Sequence, residues 1–301
     1  MPPSLPEGEG IAARYPGDRG IQDDPAVAFA DDFETTPTGI IPSGIPRAGE
    51  KKWDNSWGAC LVTEDPESVH SGRKALAFTV VVGPNGPGGG LAVQKYFEEG
   101  FDTLFLRYYA KFGADSEFYH GGAHNGPSIA GRSLGVPSIA PGIRADGGNQ
   151  FIVRLDTYRP REEVPSPGDL VTYVYHMDQG GRWGDQFYPS GRVNPPGREL
   201  FGEHFVPRED FIPERGRWYC YELMVKANAP GQRDGRIAVW VDGQVRADFP
   251  NLRLRNVGSL KANRIDLTVN TQNRRVRADV TMCYDDVVAA TSYIGPQAAV
   301  E

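Results

Sequence analysis

Arg154 lies in a run, Gln150 to Tyr158, whose residues alternate in polarity. Phe151, Val153, Leu155 and Thr157 share one face of the implied strand, and Gln150, Ile152, Arg154, Asp156 and Tyr158 share the other. With the first face in a core, the guanidinium points into whatever cleft the sheet forms. Tyr173 and Tyr175 likewise share a face with Val171 and Met177 in the run LVTYVYHM. His120 and His124 stand in the glycine-rich stretch YHGGAHNGP, where an imidazole could serve as a base near neutral pH. A cation, phenols and imidazoles on one face suit proton transfer beside a developing negative charge. Plainer roles are open to each: Arg154 can pair with Asp156, and tyrosines suit any pleated surface. Trp53, Trp57 and Trp183 sit among glycines and polar residues, where an indole could stack on a sugar ring, whereas Trp218 and Trp240 read as core. Two acidic doublets, Asp31-Asp32 and Asp285-Asp286, fall on the first and last strand candidates. If those strands pair, Asp32 and Asp285 with nearby carbonyls would suit a structural Ca²⁺. The sequence contains no zinc spacing, no Gly-x-Ser-x-Gly elbow and no phosphate-binding loop.

The elements that must position these groups read as strands. Gly 37 and Pro 25 in 301 residues punctuate helices rather than extend them, which argues against a helical bundle. Strand candidates are 28–34, 53–62, 75–82, 103–112, 150–158, 170–177, 218–226, 235–242, 264–271 and 280–290. Asp242-Gly243 is a hairpin turn. Gly83 to Gly90 reads as a mobile connection, and Gly121 to Gly148 carries little periodicity. The expectation is an all-β, antiparallel sandwich or jelly roll with few helices. It would comprise an extended, loosely ordered arm over 1–27, a single domain over 28–296 and a tail over 297–301. A net charge of −7 disfavours nucleic acid, and no apolar run approaches the ~20 residues that span a bilayer. Three cysteines leave at least one unpaired, and Cys220 and Cys283 read as buried small hydrophobes. The first twenty residues lack the apolar core of a secretory leader, so two histories fit: a secreted or periplasmic protein written without its leader, or a cytoplasmic one.

The segment GRWYCYELMVKANAPGQRDGRIAVWVDG, from Gly216 to Gly243, resembles the paired strands of jelly-roll polysaccharide lyases. The closing YDDVVAATSYIGP resembles the last strand of the same concanavalin-A-like group. LRYYAKF followed by YHGGAHNGP is similar to the strand and Gly-Gly loop of polysaccharide lyase family 14, and family 20 glucuronan lyases share the fold. The resemblance implies β-elimination on a uronate polymer such as alginate or glucuronan. A base removes the C5 proton, a cation or donor offsets charge on the carboxylate, and an acid protonates the leaving oxygen. Arg154 matches the family's substrate arginine, and Tyr173 and Tyr175 match its tyrosine pair. His120 and His124 stand where the family carries a lysine. Lys226 and Asn228 match its Lys-x-Asn element, lining or bracing the sheet. Arg132, Gln150 and Trp183 complete the expected substrate contacts, and Arg132, Arg144, Arg154 and Arg159 could make a positive groove in an acidic protein. The implied partner is a polysaccharide or oligosaccharide, with neither nucleic acid nor membrane involved, no cofactor required and oligomeric state open. Two alternatives share the fold: a lectin-like binding domain, and a glycoside hydrolase using Glu222 with Asp156 or Asp242.

Overall fold

The computed structural model describes residues 3–42, 52–84, 86–119, 124–133, 141–271 and 276–300. Among them are four 3-10 turns of three or four residues, no α-helix, and two large antiparallel sheets. One, the groove sheet, runs Val193–Asn194, Asp185–Phe187, Asp169–Tyr175, Gln150–Tyr158, Ser128–Arg132, Ala262–Thr271, Gly89–Phe101, Asn55–Trp57. The other, the back sheet, runs Gln244–Leu252, Gly235–Val241, Trp218–Lys226, Thr103–Phe112, Val280–Ala290, Ala75–Val80, Leu61–Thr63, Gly39–Ile40. Val27–Asp31 also pairs with Val280–Ala290. The sheets meet through alternate residues: Phe151, Val153 and Leu155 from one, Leu104, Leu106 and Tyr108 from the other, all within a single buried cluster. The all-β sandwich expected from the strand pattern is the observed fold.

Several details differ from the sequence expectation. The candidate 53–62 is two strands in opposite sheets, divided at Gly58, whose φ of 73° turns the chain from one layer to the other. Gly89 and Gly90 belong to a thirteen-residue strand, Gly89–Phe101, rather than to a loose connection. The five-residue strand Ser128–Arg132 occupies the centre of the groove sheet, inside the region that lacked periodicity. Its neighbours on both sides supply the order that its own sequence, SIAGR, does not encode. The Asp242-Gly243 hairpin forms as expected, with both residues at positive φ. All three cysteines are buried and unpaired.

The arm is packed rather than loose. Ile11, Ala12 and Ile21 bury against Phe105, Met224 and Trp240 on the outer face of the back sheet. Beneath it Arg107 is wholly buried, ion-paired to Asp18 of the arm and donating to the Asp286 carbonyl at 2.7 Å. In register with Arg107 lies Glu222, equally buried, accepting the N–H groups of Ile294 and Gly295 at 2.8 Å each.

Burial pushes the Glu222 carboxyl up to about 7, against the pull of those two N–H groups and Arg107. Burial and the neighbouring Asp286 push Asp285 up to about 9. A carboxyl raised in the folded state contributes stability that is complete below its unfolded pKa and lost as pH rises through the folded one. Asp178, Asp185 and Asp266 are depressed, so their contribution disappears only under acid conditions. Stability should therefore fall from pH 5 to pH 8, Glu222 alone accounting for about 3 kcal/mol. Thermal melts across that range check this; a melting temperature that holds or climbs would refute it.

Candidate active site

The solvent face of the groove sheet is hollowed into a cavity of about 520 Å³. Strand register sets its floor. Tyr173 faces Arg154, Arg154 faces Ser128, Ser128 faces Asp266 and Asp266 faces Gln94, each on the adjacent strand. The row continues through Gln186 to Asn194 on one edge strand and to Asn55 on the other. Side chains in one transverse register share a sheet face, so every strand contributes one polar group to a single track.

Asp266 is the hub of that track. Its carboxylate meets Arg154 at 3.0 Å, Arg264 at 2.7 Å and the Ser128 hydroxyl at 2.6 Å. Arg154 is 9% exposed, and Nη1 also donates to the Gly126 carbonyl at 2.7 Å. Burial works against its charge, but Asp266 and Asp156 outweigh that and raise its pKa. Arg154 thus reaches the groove as expected, but as a floor brace already matched by an acid.

Above the floor, His124 forms an isolated bridge with Asn270, exchanging backbone hydrogen bonds of 2.7 and 2.6 Å. His124 Nδ1 lies 2.8 Å from Asp156 Oδ2, and the Asn125 N–H donates to the other carboxylate oxygen at 3.0 Å. A carboxylate only accepts, so the hydrogen sits on Nδ1 and the lone pair on Nε2. The His124 and Tyr173 ring centroids are 5.4 Å apart, and both residues line the cavity. Tyr173 Oη accepts the Gly184 N–H at 3.1 Å and lies 3.4 Å from Tyr175 Oη. Burial, reinforced by Tyr175, raises the Tyr173 pKa well above that of a free phenol, so it stays protonated.

Asn270 faces the cavity with its buried Oδ1 unpartnered. The space it occupies depends on Gly90 across the sheet, where a β-carbon would stand 3.0 Å from the Asn270 Cβ. The glycine pair that made this stretch look like a linker therefore leaves room for a groove side chain.

Tyr175 also lines the cavity, while most of the other expected residues lie elsewhere. Tyr175 is buried, its hydroxyl accepting the Gly142 N–H at 2.9 Å, which makes it a support for Tyr173. Lys226 projects from the back sheet towards Asp234, and buried Asn228 holds the backbone of Leu254 and Arg255. Neither borders the groove. Gln150 is buried and donates to the Ile143 carbonyl, while Arg132 ends its strand with its backbone held by Asn263. Arg159 pairs with Glu117, so the four arginines form no common cluster; the second groove arginine is Arg264. Trp183 lines the cavity, whereas Trp53 is buried on Asp31. His120 lies outside the described residues. Glu222 belongs to the back sheet and Asp156 to the groove sheet, so they do not form a hydrolase pair; nor does Asp242, at the back-sheet turn.

The acids considered for Ca²⁺ have other partners. Lys52 Nζ is 2.9 Å from Asp31 Oδ1 and 3.6 Å from Asp32 Oδ1. Asp285 accepts the N–H groups of His70, Ser71 and Asp286 at 2.9–3.2 Å. Among the described residues no three His, Cys, Asp or Glu side chains gather as a metal set.

No family model matches this chain, and no curated protein matches it in sequence. Solved structures do. Alginate lyase Aly36B in complex with alginate trisaccharide superposes with a TM-score of 0.58 at 19% identity, covering 88% of this chain and 98% of that one. The endo-β-1,4-glucuronan lyase from the fungus Trichoderma reesei gives 0.51 at 14% identity, over 85% and 95% of the two chains. Alginate lyase vAL-1 from Chlorella virus gives 0.52 at 13%, over 79% and 93%. The fold is that of the jelly-roll polysaccharide lyases. Such distant likeness establishes the scaffold, and the chemistry rests on the groove itself.

Proposed function

We propose that this groove cleaves a uronate-containing polysaccharide, such as alginate or glucuronan, by β-elimination. The carrying observation is the arrangement of His124, held by Asp156 at 2.8 Å with its second nitrogen free of any described partner, beside a protonated Tyr173. His124 Nε2 takes the C5 proton. The electrons of that bond form a C4–C5 double bond as the C4–O bond breaks, and Tyr173 Oη gives its proton to the leaving oxygen. The Asn270 amide, opposite His124, meets the substrate carboxylate as its charge grows. The chemistry calls for no cofactor, and a polymeric substrate fits a secreted or periplasmic protein.

Incubation with alginate and with polyglucuronate should raise ultraviolet absorbance as unsaturated ends accumulate. Retention on these polymers without any absorbance change would identify a binding domain instead. New reducing ends without double bonds would point to hydrolysis.

A further inference from the structure

We infer that Trp57 and Trp183 are sugar-stacking platforms at opposite ends of the groove, and that the groove holds a long chain across both, so that cleavage falls at internal bonds. This rests on the carbohydrate reading above. Of the five tryptophans, Trp53 and Trp240 are buried and Trp218 is half-buried, whereas Trp57 is 54% and Trp183 51% exposed. Both exposed indoles line the same cavity.

Their positions are far apart. Trp57 closes the edge strand Asn55–Trp57, and Trp183 sits on the loop entering Asp185–Phe187, six strand positions away in the sheet order. At ~4.8 Å per spacing that is roughly 29 Å across the sheet. The polar track between them offers amides, hydroxyls and guanidinium edges to ring hydroxyls along the way.

Each platform is held in place. The Arg182 guanidinium lies over one face of the Trp183 ring, 4.9 Å from its centroid, and Gln179 Nε2 donates to the Trp183 carbonyl at 3.0 Å. The loop is anchored at Asp185, whose carboxylate lies 2.8 Å from His176 Nε2 and takes two N–H groups from Arg198. Trp57 is fixed by pairing with Ala92 and by the Cys60 thiol on its carbonyl at 3.2 Å. Exposed indoles on anchored backbones suit the C–H faces of pyranose rings, and each Trp has only two side-chain torsions to order on binding. A platform at each end serves only a chain that extends on both sides of the reacting bond.

The test measures affinity of the wild type, Trp57→Ala and Trp183→Ala for alginate and polyglucuronate. It uses the polymers and their oligosaccharides graded from disaccharide to decasaccharide. Unchanged melting temperatures would show that the two exposed positions do not govern folding. Wild-type affinity should climb with chain length, and each substitution should remove about tenfold for long chains while leaving the shortest unchanged. In the cleavage assay, viscosity should collapse before absorbance has risen far. Equal affinity across lengths, or variants that bind long chains like the wild type, would overturn the platforms. Viscosity and absorbance changing in step would overturn internal cleavage. Length- and tryptophan-dependent binding without any absorbance change would keep the platforms and remove the eliminase.

Discussion

Replacing His124 with alanine should lower kcat on a uronate polymer by about 10²- to 10⁴-fold, the usual contribution of a positioned general base. Tyr173→Phe, which removes the proton donor and keeps the ring, should fall in the same range. Polymer affinity should change little in both, because His124→Ala leaves the floor track intact and Tyr173→Phe removes a single hydroxyl from it. The double variant should lose little more than either single one, since the two proton transfers belong to one concerted elimination. Asp156→Asn probes the tautomer. An amide that donates to Nδ1 leaves a hydrogen on Nε2, so the imidazole faces the substrate without its lone pair. Single-turnover absorbance with each of the four variants checks these outcomes. His124→Ala retaining most of the wild-type rate would remove this residue as the base.

Asp266→Ala should destabilise the protein by about 3–5 kcal/mol, the cost of stranding a buried charge whose partner is gone. Here two guanidiniums, Arg154 and Arg264, lose their shared counter-ion, and Ser128 loses its acceptor. Arg154 and Arg264 hold the Asp266 carboxyl below the usual range despite its complete burial, so it is ionised at neutral pH. Urea unfolding measures the effect, and a loss under about 1 kcal/mol would mean the guanidiniums find other partners. Methionine at both arginine positions together with Asp266→Ala should recover much of the stability, since buried ion clusters can be replaced by packed apolar groups. It should not recover a groove that binds sugar.

The Asp266 hub shows what kind of information the sequence carries. The run ANRIDLTVNT alternates as cleanly as the Arg154 strand, with Ile265, Leu267 and Val269 inward. Alternation therefore separates Arg264, Asp266, Thr268 and Asn270 from the core as firmly as it separates Arg154. It does not say whether an outward residue faces a groove or the opposite side of a sandwich, because both sheets bury one face against the other. Lys226 and Arg154 look alike by this criterion, yet they project from different sheets.

What the sequence determined alone follows from local rules. Strand pattern, the Asp-Gly hairpin, the scarcity of helix and the sharing of one face by Arg154 and Asp156 are all consequences of period-two geometry and turn chemistry. Strand order was left to the tertiary structure, since register between segments a hundred residues apart is fixed by the joint packing of two sheets. Only that order could join His124 to Asp156 and Asn270, draw SIAGR into the centre of its sheet, set the Gly89-Gly90 strand beside the edge strand, and fold the arm over Arg107.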